Sequence, residues 1–312
     1  MLDPALRIGI VGATGAVGRV TLEYLARRGH TNLRAFASRR SAGTSIDGFE
    51  VEEATERTLG AGDLDVCFFS IGTRLSRELV PAAAAGGALC VDKSAAFRLE
   101  PGIPLVVPEV NGERALEHDG IVANPNCCTI PLTMTLAPLH EAAGLRSVRV
   151  ATYQSFSGAG TDAVAELRGE QPDDHRLRMD WDFDGEEFDE EVKLRAETRK
   201  ILELPDLPVS ATCVRVPVVV GHAEAIWVET ESPLTAADAE RILGQAPGLR
   251  LQDVPAHDSA IGTDEVVVGR IRSDRSAENG LVLFVVCDNL RKGAALNAIQ
   301  IAELAVGAGV PG

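Results

Sequence analysis

The chain has 312 residues, 45% of them apolar and 24% charged, the composition of a globular protein with room for two domains. A formal net charge of −16, with basic runs such as Arg39-Arg40 and Arg291-Lys292 no longer than pairs, argues against a nucleic-acid partner. No apolar run approaches the ~18 residues of a membrane span, and no charged-then-apolar signal pattern precedes the first strand, so no membrane association is expected.

In chain order, Arg7–Val11 reads as a short strand, followed by a glycine turn and a helix through Arg28. Leu33–Ala37 and the buried run Asp65–Ile71 read as strands, Arg74–Ala85 as a helix, and Ala88–Asp92 as a further strand. Repeated strand–helix–strand order predicts a parallel sheet covered on both faces. After Asn124 the pattern changes. Ile130–Ala142 is helical, Ser147–Gln154 alternates as a strand, and Glu186–Leu202 is a charged amphipathic helix. Thr212–Val220, Ala223–Thr230, Glu265–Ser273 and Leu281–Val286 are strand-like, with a helix at Ala236–Leu243. Leu290–Val306 is again helical, and the polar stretch 169–185 reads as a loop. The fold class expected is α/β: an N-terminal Rossmann-type dinucleotide-binding domain (1–126, plus the C-terminal helix 289–312), and an α+β substrate and dimerisation domain (127–288) with a mixed sheet.

Six cysteines (67, 90, 127, 128, 213, 287) show no CxxC spacing, and four lie inside apolar runs such as Val66-Cys67-Phe68. They read as small buried hydrophobes in a reducing, cytoplasmic compartment. No metal site is expected.

Two segments carry chemistry. Gly12-Ala-Thr14-Gly15-Ala16-Val17-Gly18 follows the first strand and opens a helix. Glycines there allow a tight turn and bring backbone amides close to a pyrophosphate at the helix N-terminus. Past the second strand an NAD site would place an acid on the ribose. The sequence instead has Ser38-Arg39-Arg40-Ser41, groups that pair with a 2′-phosphate, so NADP is the expected cofactor. The other segment is Asn124-Pro125-Asn126-Cys127-Cys128-Thr129-Ile130. A thiol at a helix N-terminus meets the positive end of the dipole, which favours the thiolate. On this segment alone, a nucleophile and a pair of packed cysteines remain equally open.

Taken with its neighbours, the segment resembles the aspartate-semialdehyde dehydrogenase family over almost the whole chain. The stretches that carry the resemblance are GATGAVG (12–18), SRRSAG (38–43), FSIG (69–72), SAAFR (94–98), NPNCCTI (124–130), SGAG (157–160), EEVKLRAETRKIL (190–202), RVPVVVGHAEAIWVE (215–229), VGRIR (268–272) and DNLRKGAALNAIQIAE (288–303). It implies that Cys127 is the nucleophile, His222 the general acid/base, and Gln154 the residue that orients the thiol or acyl group. Cys128 stands where the family usually has Ser. The resemblance further implies that Arg215 binds the substrate α-carboxylate, Glu190 its ammonium group, and Arg98 and Lys193 the acyl phosphate or inorganic phosphate. Cofactor contacts are implied for Gly12, Thr14, Gly15, Ala16, Val17, Gly18, Ser38, Arg40, Ser41, Ser70, Gly72, Ser157, Gly158 and Asn289.

By resemblance the reaction is NADP-dependent reduction of L-aspartyl-4-phosphate to L-aspartate 4-semialdehyde, in the biosynthesis of lysine, threonine, methionine and diaminopimelate. A homodimer or dimer of dimers is implied as well. Read as an ordinary helix-face pair, Glu190–Lys193 would carry no function. The remaining histidines (30, 118, 140, 175, 257) read as surface or satisfied. The alternatives are an N-acetyl-γ-glutamyl-phosphate reductase, in which Asn-Pro-Gly-Cys-Tyr is expected around the nucleophile, and a catalytically silent paralogue.

Overall fold

A computed structural model describes residues 1–169 and 177–307. The chain divides into two compact units, one formed by residues 1–125 and 294–312, the other by residues 126–293.

The first unit begins with β1 (Ile8–Val11), α1 (Ala16–Arg27), β2 (Leu33–Ala37), β3 (Ser45–Ile46) and β4 (Phe49–Glu53). The short helix α2 (Glu56–Leu59) follows, then β5 (Val66–Phe69), α3 (Thr73–Ala85), β6 (Leu89–Asp92), α4 (Pro108–Asn111) and β7 (Ile121–Ala123). Its seven strands run in the order β3-β4-β2-β1-β5-β6-β7. Every neighbouring pair is parallel except the edge pair β3/β4. β1, β5 and β6 are buried throughout, which is why they read as unbroken apolar runs rather than alternating ones. The aliphatic core is completed by a C-terminal helix, Leu296–Gly307, whose Leu296, Ile299, Ile301 and Ala302 join Ile8, Ile10, Phe68 and Val91.

The second unit holds α5 (Thr129–Ala143), β8 (Leu145–Gln154), α6 (Thr161–Gly169), α7 (Asp189–Ile201), β9 (Val209–Arg215) and β10 (His222–Thr230). After these come α8 (Ala236–Leu243), β11 (Leu249–Leu251), β12 (Val266–Ser273) and β13 (Gly280–Cys287). The six strands are ordered β11-β12-β13-β10-β8-β9. The β12/β13, β13/β10 and β10/β8 pairs are antiparallel, while β8/β9 and β11/β12 are parallel, so the sheet is mixed. α5 is buried almost all round and packs on β10 and β13, with α7 beside it.

Beyond short strands such as β4 and β7 that were not expected, sequence and structure differ most at three places. β9 stops at Arg215 instead of continuing to Val220, because Pro217 has no N–H to give a ladder and Val218 turns back to bond Val216. The stretch expected as one helix from Leu290 begins as a wide turn over Arg291–Ala295, and regular helix starts only at Leu296. Part of the expected 169–185 loop is the end of α6 and part lies outside the described residues, as does His175.

Candidate active site

Sheet geometry in the second unit fixes a row of functional side chains. Gln154 pairs with Arg215, His222 pairs with Cys287, and Ala223 opposite Tyr153 sets Gln154 opposite His222. Paired residues in a sheet project to the same face, so Arg215, Gln154, His222 and Cys287 form one row on the buried face under α5 and α7. Cys127 enters from above, immediately before α5.

The Cys127 Sγ lies 3.1 Å from His222 Nε2. The other ring nitrogen decides the tautomer. Ser155 donates its backbone N–H to His222 Nδ1 at 3.0 Å, so Nδ1 is the acceptor and the neutral imidazole carries its proton on Nε2, facing the sulfur. The sulfur is thereby presented with a hydrogen-bond donor and with the open N-terminus of α5, where the cap residue Cys128 supplies no side-chain bond. Cys127 is half-buried, while Cys67, Cys90, Cys128, Cys213 and Cys287 are buried. Burial pushes the Cys128 and Cys287 thiols well above the ordinary value.

Around this pair the remaining residues are tied together. Asn126 uses its Oδ1 to accept the Cys128 N–H at 2.8 Å, and its Nδ2 donates to Glu190 Oε1 at 2.8 Å. Gln154 Nε2 donates to the same oxygen at 3.2 Å. Burial raises the Glu190 carboxyl, the Cys127 charge raises it further, and Asn126, Lys193 and Gln154 oppose the shift. Lys193 Nζ stands 3.6 Å from Glu190 Oε2 and 2.7 Å from Asp189 Oδ2. Arg215, buried to 3% exposure, donates Nη1–H to the Ser155 carbonyl at 2.8 Å and Nε–H to the Asp180 carboxylate at 3.0 Å, with Trp181 beneath its guanidinium. At Gly158 a Cβ would stand 3.2 Å from the His222 ring and 3.5 Å from Arg215 Nη1, so a side chain there would press on the imidazole.

Cys127, Gln154, Glu190, Lys193, Arg215 and His222 therefore come together in one unit. Asn289 lies there too, but its carboxamide is engaged in holding loops. Its Oδ1 accepts from Gly221 N–H at 2.8 Å, Ser155 Oγ at 3.1 Å and Ser157 Oγ at 3.3 Å, and its Nδ2 donates to Ser157. Asn126, Ser155 and Asp180 join the site without having been expected there from sequence. Only Asn126 carried a signal, as the residue before the thiol. Of the other histidines, His118 and His140 accept backbone N–H bonds, and His257 bonds the Gly221 carbonyl at 2.7 Å.

The first unit offers a dinucleotide cradle. Gly12 has φ +83°, and a Cβ there would lie 2.3 Å from the Ser70 carbonyl oxygen; one at Gly18 would lie 2.2 Å from the Gly12 carbonyl oxygen. Side chains at either position are excluded by backbone that cannot yield. Gly15 and Gly72 cap α1 and α3 with no side-chain bond, and the first turn of each helix has no acid. Both helix ends keep amides and positive dipole for an anion. The Ser70 Oγ, at the end of β5, is buried without a partner. These features fit a bound nicotinamide dinucleotide. Ser38, Arg39 and Arg40 are exposed after β2. Arg98 is buried in this unit, donating to the Asn124 carbonyl at 3.0 Å and the Lys93 carbonyl at 2.7 Å.

A cation would find its donors in the second unit. Among the described residues, Cys127, Cys128 and His222 each offer one possible ligand atom within 4.8 Å of the others.

Comparison with known proteins agrees with this architecture. Residues 7–118 match the family described as semialdehyde dehydrogenase, NAD binding domain, and residues 136–186 and 178–292 match the semialdehyde dehydrogenase, dimerisation domain. The aspartate-semialdehyde dehydrogenase of Streptomyces akiyoshiensis is 47% identical, with 96% of this chain and 98% of that protein covered. That of Aquifex aeolicus is 41% identical, covering 97% and 99%. Among solved structures, aspartate semialdehyde dehydrogenase II from Vibrio cholerae, complexed with ASA, superposes with TM-score 0.91 at 39% identity over 98% of this chain and 99% of that one. The enzyme from Candida albicans with NADP gives 0.78 at 25% identity, covering 96% and 98%. The fold is accordingly a Rossmann-type α/β nucleotide-binding domain joined to a mixed-sheet dimerisation domain, and the chain belongs to the aspartate-semialdehyde dehydrogenase family.

Proposed function

We propose that the protein reduces L-aspartyl-4-phosphate to L-aspartate 4-semialdehyde with release of phosphate, through a thioester on Cys127 and with NADPH as reductant. The observation that carries this reading is the 3.1 Å approach of Cys127 Sγ to a His222 whose Nε2–H is turned toward it by the Ser155 amide. NADP rather than NAD is favoured by the run Ser38-Arg39-Arg40-Ser41, which brings no acid to the ribose. Gly12, Gly15, Gly72 and Ser70 would hold the dinucleotide, and Thr14, Ala16, Val17, Gly18 and Ser41 flank them. The bound cofactor supplies a hydride at its nicotinamide ring.

The chain's own residues do the rest. The Cys127 thiolate attacks the acyl-phosphate carbonyl, and its carbon–sulfur bond replaces the carbon–oxygen bond to phosphate. Arg98 and Lys193 are assigned to the phosphoryl charge, Arg215 to the α-carboxylate and Glu190 to the ammonium group. Nε2–H of His222 donates first to the thiolate and then to the oxyanion of the tetrahedral intermediate. For His222 to act as general acid it must carry a second proton on Nδ1, and the hydroxyl at hand to accept from it is Ser155 Oγ at 3.2 Å. Gln154 steadies Glu190, and Asn289 steadies the Gly221 turn that delivers His222.

The family model that covers the second unit is described as a dimerisation domain. The outer face of its sheet carries the exposed Tyr153 and the half-buried Trp227 and Phe284, which supports a homodimer formed across that face. In the opposite direction of reaction, aspartate semialdehyde should reduce NADP only when phosphate is present, and prior alkylation of the thiol should abolish the rate. Phosphate-independent reduction would contradict the proposal. N-acetylglutamate semialdehyde should be turned over poorly, which separates this reading from the reductase alternative.

A further inference from the structure

One buried acid on α7 has no place in the scheme above. The inward face of that helix repeats at helical spacing through Glu190, Leu194, Glu197, Thr198 and Ile201. Leu194 and Ile201 are what such a face ordinarily carries, and Glu190 is assigned to the substrate ammonium. Glu197 is left without a task. It is 1% exposed, and a carboxylate at that depth is costly to keep unless it is hydrogen-bonded. Its Oε2 accepts the backbone N–H of Asn126 at 2.7 Å, across 71 residues of sequence. Glu197 lies two turns from Glu190 on the same side of α7, and Glu190 takes the Asn126 side chain.

Asn126 is thereby held at every polar group. Its N–H donates to Glu197 and its Nδ2 to Glu190, its Oδ1 accepts the Cys128 N–H at 2.8 Å, and its carbonyl accepts the Ile130 N–H at 3.1 Å. The last two bonds pin the peptide planes on either side of Cys127, which set the direction of its Cα–Cβ bond. The first two fasten that bracket to α7.

We propose that Glu197 is a positioning residue that holds the Cys127 sulfur at His222 through the Asn126 peptide. Its carboxylate gives the bracket a charge-assisted bond, shorter and stronger than a neutral one. The sulfur then stands at 3.1 Å from His222 Nε2, where a misplacement of about 1 Å costs on the order of a hundredfold in rate. The inference rests on Cys127 being the reactive thiol.

The test follows iodoacetamide labelling of Cys127 against pH by peptide mass spectrometry in the full chain, with a cooperative thermal transition as the check on folding. Glu197→Gln keeps an acceptor oxygen at the same reach and should preserve the labelling profile. Glu197→Asp keeps the charge but shortens the arm by one methylene, and Glu197→Ala removes it. Both should move the midpoint to higher pH and slow labelling at neutral pH by about tenfold, the size expected when a thiolate loses its hydrogen bond. A residue that merely stabilises α7 would change the thermal midpoint and leave the labelling profile in place. An unchanged profile in Glu197→Ala, or a Gln variant as damaged as the Asp variant, overturns the proposal. Should Glu197→Ala not fold, the contrast between Asp and Gln decides. An acyl-adduct assay on the unaltered protein is run alongside. Its failure would remove Cys127 as nucleophile while leaving the labelling result to judge Glu197.

Discussion

Among single residues, the chemistry depends on how protons are distributed around one sulfur. The Ser155 N–H fixes Nδ1 of His222 as an acceptor, and Ser155 Oγ, 3.2 Å from Nδ1, is the hydroxyl placed to accept a hydrogen bond from an Nδ1–H. Ser155→Ala keeps the first contact and deletes the second. Turnover should fall about fivefold with KM within twofold, the effect of one hydrogen bond of about 1 kcal/mol; a raised KM with unchanged kcat would place Ser155 in substrate binding instead. Arg215 offers a parallel case. Asp180 holds its Nε edge and Ser155 its Nη1, which orients the guanidinium toward a carboxylate at the remaining edge. Asp180→Asn should therefore raise KM for the semialdehyde about tenfold with little change in kcat. A lower KM would mean that Asp180 competes with the substrate for the arginine.

Elements were legible wherever apolar period and turn chemistry agreed. β2 and α8 match their expected limits, and α1, α3 and β6 lie within a residue or two of theirs. The overrun of β9 shows the limit of reading by composition, since Val218-Val219-Val220 looks like strand but follows a proline that ends the ladder. The turn at Arg291–Ala295 was hidden because its residues suit a helix, Gly293 being the one weak helix former among them. Chain patterns also placed Cys127, His222, Arg215 and Glu190 in named segments. They could not show that Asn126 and Gln154 both donate to one Glu190 oxygen, because that convergence depends on sheet register between distant strands. At the nucleotide end, Gly18→Ala should destabilise the first unit by about 3 kcal/mol, the scale of overpacking, because its Cβ meets the Gly12 carbonyl oxygen at 2.2 Å. Calorimetry showing an unaltered transition would contradict the close approach of α1 to that turn.

At the scale of the whole molecule, the pH response of stability has an identifiable source in the first unit. Lys93 Nζ lies against the Phe68 ring at 5.9 Å and the Thr21 hydroxyl at 3.3 Å, and burial lowers its pKa from 10.5 to about 7, opposed by Asp92. Between those values the unfolded chain binds the proton and the folded one does not, so stability from this group rises with pH across the window. Below about 7 both states carry the charge and the penalty is constant. Lys93→Met should flatten that slope and raise Tm at neutral pH; a steeper slope or a lower Tm would show that the amine is stabilising where it stands.

In the proposed reaction the Cys127 sulfur carries the acyl group during turnover. The direct measurement is mass spectrometry of protein quenched after mixing with aspartate semialdehyde and NADP in the absence of phosphate, so that the acyl group has no acceptor. An aspartyl mass is expected on the peptide containing Cys127, released by adding phosphate and missing from Cys127→Ser. Steady NADPH formation with no modified peptide, or with the mass on another residue, would contradict it.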